Sequence, residues 1–201
     1  MLRNPVSKRS VISTSLVMLA LAALTLALKP RTAQAEEGVR FKGALTVQFE
    51  GITATSACAI GDTSCITCVS NPGAYYVDAQ GIGETSLGTL FFKLLKCAFA
   101  PTQAAPFGSY VGTLTTTAPN GKDSLTWAYS GQNDSFGDPY GFGPFSGKLT
   151  ITRGTGKFEG AQGSATFTAV GGPATPGPVA NTGVGMAFYS VQGKLELRDN
   201  E

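Results

Sequence analysis

The sequence predicts an all-β fold, a single antiparallel β-barrel of about eight strands. Apolar and polar residues alternate through most of the chain beyond residue 35, as they do in strands with one buried and one solvated face. The chain also contains 26 glycines, and all of them follow residue 35, where they mark short turns between strands. Seven or eight short strands with such connections fit a closed barrel, and a sandwich of two sheets is the alternative.

The individual strands are predicted from this alternation. In residues 39–50 the odd positions are apolar or glycine, and the even positions are mostly polar. Residues 124–130 follow the same rule, and the pair Asn120-Gly121 before them is typical of a tight hairpin turn. The remaining predicted strands are residues 75–79, 109–117, 148–153, 164–170 and 187–197. The segments predicted to be irregular are the cysteine-containing loop, residues 131–144 and residues 171–183.

Residues 87–99 are the exception, because their apolar positions fit a helical stripe as well as a strand. Lys93 and Lys96 lie off that stripe. The run Thr-Leu-Phe-Phe at residues 89–92 has high strand propensity, so a strand buried on both faces is preferred to a short helix.

The first 35 residues have the organisation of a secretory signal peptide, and residues 36–201 form the predicted barrel domain. A basic start precedes an apolar run over residues 11–28, and Ala-Gln-Ala at residues 33–35 fits a signal-peptidase site. Lys29 and Arg31 are unusual before such a site, so an uncleaved N-terminal anchor stays open as the alternative. We therefore expect a secreted or periplasmic protein with no stable membrane span after cleavage.

Composition excludes several classes of function. The net charge of +2 becomes −3 without the signal segment, since ten cations then face 13 acids, and nucleic-acid binding is not expected. The chain has no histidine, which removes Ser-His-Asp catalysis, imidazole bases and His-ligated metals. Asn133, Asp134 and Asp138 carry oxygens that suit calcium, but their spacing favours a turn. The sequence predicts no catalytic residue, no metal and no cofactor.

Four cysteines, Cys58, Cys65, Cys68 and Cys97, follow the signal segment. An even number of cysteines in an exported chain predicts disulfides. The preferred pairing has one bond inside residues 58–68 and a second bond that ties this loop to Cys97. A redox-active or metal-binding C-x-x-C at Cys65 and Cys68 is the alternative, although the surrounding residues are typical of a loop and not of a thioredoxin-like helix.

The most specific local pattern is a glycine-rich connection between two predicted strands. Its key positions are Gly154, Gly156, Phe158, Gly160 and Gly163. The glycines permit positive φ, and the phenylalanine can fold under the sheet and seal one end of the barrel. No phosphate-binding glycine motif is present, and a strand follows instead of a helix.

The same stretch resembles the G-G-T-G-x-F-x-G-A-x-G segment of the allene oxide cyclase and dirigent superfamily and of secreted bacterial proteins similar to it. Arg153 stands where that family usually has glycine. The resemblance implies an eight-stranded barrel, often assembled as a dimer or trimer. It also implies two activities as alternatives: cofactor-free cyclisation and the steering of bound radicals inside the barrel.

Two hypotheses of function follow. The first is a secreted non-catalytic barrel that binds a small apolar ligand or acts as an extracytoplasmic interaction module. A homo-oligomer is the predicted assembly, since the resemblance implies dimers or trimers. The alternative is a cofactor-free cyclase or isomerase, or a dirigent-like protein, that uses a carboxylate inside the barrel with a tyrosine or Arg153. The candidate ligand-binding residues are the aromatics expected inside or at the rim of the barrel, Tyr75, Trp127, Tyr129 and Tyr189.

Overall fold

The barrel is described in a computed structural model that covers residues 38–135, 143–177 and 179–197. Within these residues, eight antiparallel strands follow one another around a closed barrel, and the last strand pairs with the first. The strands are β1 Val39–Ile52, β2 Tyr75–Thr85, β3 Gly88–Phe99, β4 Ser109–Thr117, β5 Ser124–Asn133, β6 Gly143–Thr155, β7 Gln162–Pro176 and β8 Thr182–Glu196. The predicted barrel is confirmed, and the sandwich alternative is wrong. The predicted signal segment lies outside the described residues.

Strand β3 settles the ambiguity of residues 87–99. The segment is a strand, as preferred, but it is not buried on both faces. Leu90, Phe92 and Leu94 point into the barrel and are buried, whereas Phe91 lies on the outer face and is exposed. The alternation therefore continues through this strand. Its apolar residues also fit a helical spacing because the outward-facing Phe91 adds to the inward row of apolar side chains.

Strands extend into both segments predicted to be irregular, residues 131–144 and 171–183. β5 extends to Asn133 and β6 begins at Gly143, while β7 continues to Pro176. Some of the glycines in these segments lie in strands, where they allow a neighbouring strand or side chain to approach closely. A Cβ atom on Gly131, for example, would collide with the Ser146 carbonyl oxygen on the neighbouring strand.

One end of the barrel, here the closed end, carries the short connections β2–β3, β4–β5 and β6–β7. Gly121 has a φ of 70° in the predicted Asn-Gly hairpin, which is confirmed. In the connection between β6 and β7, Gly156 has a φ of 59° and opens a single 3-10 turn over Gly156–Phe158. Phe158 is 2% exposed, so it seals this end as expected.

The barrel interior next to the closed end is filled by large apolar side chains. Trp127 is fully buried and stacks on Phe41, with ring centroids 5.4 Å apart. Its indole Nε1 donates a hydrogen bond of 3.3 Å to Thr116 Oγ1, so the one polar atom of the ring is satisfied. Leu125 and Leu195 are also fully buried, and they complete a layer with no room for a ligand.

The opposite end, here the open end, carries the cysteines. The disulfides are Cys58–Cys65 and Cys68–Cys97, as in the preferred pairing. The segment expected to be a loop contains a short helix, α1 Thr63–Val69, and the side chain of Asp62 caps it by accepting from the Cys65 amide.

All four cysteines are bonded, and the two cysteines of the C-x-x-C have different partners. This arrangement argues against a redox pair or a zinc site, because neither thiol is free. Disulfides of this kind are typical of oxidising compartments outside the cytoplasm. Among the described residues, no helix has the length and apolar character needed to span a bilayer.

A row of apolar side chains crosses the outer wall of the barrel. Val170, Phe188, Ile82 and Phe91 occupy aligned register positions on β7, β8, β2 and β3, with Thr46 of β1 between the second and third. The four apolar side chains are between 43% and 49% exposed. The predicted homo-oligomer stays a prediction.

Candidate functional site

A cavity of about 630 Å³ occupies the barrel interior at the open end. This volume lies within the range of small-molecule sites, about 300–1,000 Å³. The cavity is partly open to solvent, and its mouth lies among the strand ends near Thr53, Asn133 and Thr182. Most of its wall is apolar and is formed by residues of β1, β2, β3, β6, β7 and β8.

The cavity exists because the inward positions at this end carry small residues. Gly51 on β1, Ala79 on β2, Gly171 on β7, and Gly183 and Ala187 on β8 all line it. Each lies on the same inward-facing parity as the large side chains that fill the closed end. The sequence therefore places bulk at one end of the barrel and space at the other while the strand pattern stays the same.

The floor of the cavity is a tightly packed aromatic layer. Tyr129 and Phe167 stack with ring centroids 4.8 Å apart, and Phe145 meets Tyr189 edge to face at 5.4 Å. The space below this layer amounts to about 10 Å³, which is room for a single water at most. A ligand in the cavity is therefore stopped by this floor.

Among the described residues that line the cavity, Lys96 is the one charged side chain. It projects inward from β3, and its Nζ atom lies 4.4 Å from the ring centroid of Tyr110, 4.8 Å from that of Phe145 and 5.8 Å from that of Tyr129. Within the described part of the chain, Nζ makes no hydrogen bond and no ion pair. Burial disfavours the charged amine and lowers the pKa of Lys96 to about 8.

Three tyrosines belong to the aromatic cluster next to this amine. Tyr110 donates to the carbonyl oxygen of Ser146 at 2.7 Å, so its proton is already used. The hydroxyls of Tyr129 and Tyr189 lie 3.3 Å apart. Burial raises the pKa of Tyr189 to about 12 and the pKa of Tyr129 well above its usual value, so both are neutral phenols at physiological pH. When Tyr129 donates to Tyr189, Tyr189 keeps its own proton for an acceptor in the cavity.

The four predicted ligand-binding residues fall into three places. Tyr75 and Tyr189 line the cavity, as expected for rim and interior aromatics. Tyr129 lies in the floor and contacts the cavity through Tyr189. Trp127 is fully buried in the closed end and does not line the cavity. Ligand binding by these residues stays a prediction. Of the four, the three tyrosines lie at the cavity or in its floor, so the prediction now applies to them and not to Trp127.

The catalytic alternative needs a carboxylate inside the barrel, facing a tyrosine or Arg153. None of the described residues that line the cavity is an aspartate or a glutamate. Arg153 is exposed and lies on β6 near the closed end. Asp134 is exposed and accepts from Ser146 Oγ, and Asp138, whose oxygens were considered for calcium, lies outside the described residues. In the described ranges, no group of three or more acidic or cysteine side chains is arranged so that it could hold a metal ion.

Sequence reasoning missed Lys96 as a site residue, although a signal was present. Once residues 87–99 are taken as an alternating strand, the inward positions are Leu90, Phe92, Leu94 and then Lys96. A lysine on the buried face of a strand is rare, because its charge must be compensated or neutralised. The preferred interpretation of residues 87–99 was a strand buried on both faces. That interpretation does not distinguish inward from outward residues, so it did not mark Lys96 as an inward lysine.

Comparison with known proteins gives a fold-level likeness. No family model matches the sequence, and no curated protein matches it. A solved structure of the pterocarpan synthase dirigent protein is similar with a TM-score of 0.40 and 14% sequence identity, over 85% of this chain and 96% of that chain. The eight-stranded barrel implied by the glycine-rich segment is confirmed by the strand topology, and membership of that superfamily stays a prediction.

Proposed function

We propose that this protein is a non-catalytic binding protein that takes one small, mostly apolar molecule into the open end of its barrel. The observation that carries the proposal is the cavity of about 630 Å³, with an apolar wall and a packed aromatic floor. A ligand that buries about 250 Å² of apolar surface gains about 6 kcal/mol before the costs of association are subtracted. A gain of that size alone corresponds to a dissociation constant of about 40 μM, so binding weaker than this is expected.

The proposed place of action is outside the cytoplasm. The Cys68–Cys97 disulfide ties the cysteine-rich segment to β3 at the open end, and Cys58–Cys65 closes a loop within that segment. Such bonds persist in oxidising compartments. The N-terminal sequence has the pattern of a secretory signal. Together these features support secretion or periplasmic export followed by capture of a ligand there. Sequencing of the N-terminus of the exported protein tests the cleavage site before Glu36.

A pair of fluorescent dyes tests ligand binding directly. Anilinonaphthalene sulfonate and N-phenylnaphthylamine share one ring system and differ in the sulfonate, and both brighten in apolar sites. We expect at least one of them to bind saturably, with one dye per chain. In Gly51→Phe the new ring points into the cavity, and since a Cβ atom at Gly51 meets nothing closer than 3.7 Å, the barrel tolerates it. Binding should fall about tenfold or more.

The matched control is Ala44→Phe, which adds the same ring to the exposed outer face of the same strand. This variant should bind the dye like the wild type. Gly51→Leu is a smaller plug for use if the phenylalanine variant folds poorly, as judged by circular dichroism. If neither dye binds saturably, or if the plugged variants bind as well as the control, the proposed function is wrong.

A further inference from the structure

We propose that the ligand is an organic anion, an apolar molecule whose single acidic group pairs with the Lys96 amine at the floor of the cavity. The inference rests on the proposed function, since it names the class of molecule that the same cavity takes. It follows from how the amine is placed, from what surrounds it and from what the wall of the cavity lacks.

The placement of Lys96 differs from that of the lysine three positions before it. Lys93 projects outward from the same strand and forms an ion pair with Asp78 on the neighbouring strand. Lys96 projects inward, and its Nζ atom faces only aromatic rings and the cavity within the described residues. The outer lysine has a carboxylate partner, whereas no described carboxylate pairs with the inner lysine.

The rings around Lys96 compensate its charge only in part. The faces of Tyr110 and Phe145 attract a cation, but such contacts are weaker than a hydrogen-bonded ion pair. The three N–H donors of the ammonium group have no described oxygen to bind. A ligand that brings its own acidic group supplies both the missing charge and the missing acceptors.

The rest of the wall also favours an anion. Lys96 is the only charged residue among those that line the cavity in the described ranges, so no carboxylate there repels an acidic ligand. When Tyr129 donates to Tyr189, the hydroxyl of Tyr189, which lines the cavity, keeps its own proton and is a second donor for the ligand. An acidic group at the floor and an apolar body toward the wall match the two parts of the site.

The titration of Lys96 supplies a signature of this pairing. The free amine has a pKa of about 8, and a bound anion stabilises the ammonium form and raises that pKa. An anion should therefore bind with constant affinity below pH 8, and its affinity should fall about tenfold per pH unit above it. The other titratable groups at the cavity are Tyr75, Tyr110, Tyr129 and Tyr189, and burial raises the pKa of each, so they remain neutral in this range. Asp134, whose charge also acts on Tyr110, is exposed and is not among the lining residues.

The experiment compares the two dyes on the full chain between pH 6 and pH 10. The sulfonate stays ionised throughout, so any pH dependence of its binding comes from the protein. We expect the sulfonate dye to bind about tenfold or more tightly than its neutral counterpart at pH 7, because a hydrogen bond to a charged group discriminates by about that factor. Above pH 8 this preference should shrink.

Three variants assign the preference to one amine. Lys96→Met keeps the length of the side chain and should bind both dyes equally. Lys96→Arg keeps the charge and should restore the preference for the sulfonate, with a flat profile up to pH 10, because arginine does not lose its proton there. Lys93→Met removes a lysine from the outer face of the same strand and should behave like the wild type.

The outcomes separate the two proposals. If both dyes bind equally to the wild type, or if Lys96→Met keeps the preference, the ligand class is wrong while the cavity remains a binding site. If the preference does not change between pH 7 and pH 10, the pairing with Lys96 is also wrong. If neither dye binds, the proposed function itself fails.

Discussion

The two ends of this barrel are built on one strand pattern but have opposite interiors. At the closed end, the inward positions carry Trp127, Phe41 and Leu195, and they pack solid above the Phe158 seal. At the open end, the same strands turn glycine and alanine inward and leave about 630 Å³ of space. The alternation of apolar and polar residues forms the barrel wall at both ends. The size of the inward-facing residues then determines whether the interior is a packed core or a cavity.

This difference separates the part of the barrel that stabilises the fold from the part available for binding. The closed end buries its inward-facing large apolar side chains, and such burial is the dominant favourable contribution to folding. The open end lacks that burial and is held by two disulfides around α1, with a second small apolar cluster beneath the helix. Covalent bonds there take over part of the role that packing has at the closed end.

The largest test of this comparison removes an aromatic ring from each end. Trp127→Ala should lower the free energy of unfolding by about 3–5 kcal/mol, because it opens a sealed void in a packed layer. Phe49→Ala removes a ring that lines the existing cavity, so it creates no new sealed void. It should lower the free energy of unfolding by about 1–2 kcal/mol, because only the favourable transfer of the ring out of water is lost. Urea unfolding followed by far-ultraviolet circular dichroism measures both values. Equal costs would mean that the open end is packed as tightly as the closed end.

The disulfides provide a second test of how the open end is held. Replacing Cys68 and Cys97 with alanine opens a loop of sequence separation 29 and should lower the free energy of unfolding by about 3–4 kcal/mol. The same replacement of Cys58 and Cys65, with a separation of 7, should cost about 2–3 kcal/mol. Urea unfolding of the two double variants measures the difference.

The single tryptophan of the chain reports on where such a change acts. Trp127 lies at the closed end, so its native fluorescence should be unchanged in both disulfide variants, while amide exchange near α1 accelerates. A shift of the tryptophan emission in the folded double variant would contradict the separation of the two ends, because it would show that the closed-end core depends on the disulfides.

The sequence was sufficient for the barrel and for the closed end. Alternation in the strands, the Asn-Gly hairpin and the glycine-rich connection with Phe158 are local patterns, and each has a single physical interpretation. Two disulfides, one inside residues 58–68 and one to Cys97, were also predicted, but the sequence left open which loop cysteine bonds to Cys97, because each of the three connectivities fits that description. The helix α1 was missed because a seven-residue helix gives almost no periodic signal.

The site was only partly predictable. The tyrosines were chosen as inward aromatics, but the same rule also selected Trp127, because sequence gives the face of a strand residue and not which end of the barrel it reaches. The length of β5 and of β7 was underestimated for a related reason. Gly131 reads as a turn residue, while its lack of a side chain in fact admits the neighbouring strand, which is a long-range contact. To predict Lys96 as a site residue, one must know both the strand face on which it lies and the end of the barrel at which it lies.

The smallest expected effect concerns the stability that Lys96 costs the open end. Lys96→Met should raise the free energy of unfolding at pH 7 by about 1–3 kcal/mol, since burial lowers the pKa of the amine from 10.5 to about 8 and one pKa unit corresponds to about 1.4 kcal/mol. The lower part of this range reflects partial access of the amine to solvent in the cavity. Urea unfolding of both proteins at pH 7 measures the gain.

The pH dependence of that gain identifies its cause. Below pH 8 the lysine is protonated in both the folded and the unfolded chain, so the full cost of burying the charge is present. Between pH 8 and 10.5 the folded protein loses the proton while the unfolded chain keeps it, so the wild type gains stability relative to Lys96→Met as the pH rises. The difference should therefore vanish near pH 10.5. If the stability gain of Lys96→Met persists at that pH, it comes from better packing of the methionine. If the gain vanishes, it comes from the buried charge of Lys96. The open end then gives up stability to keep a cation that no described carboxylate pairs with, as a site for an anion requires.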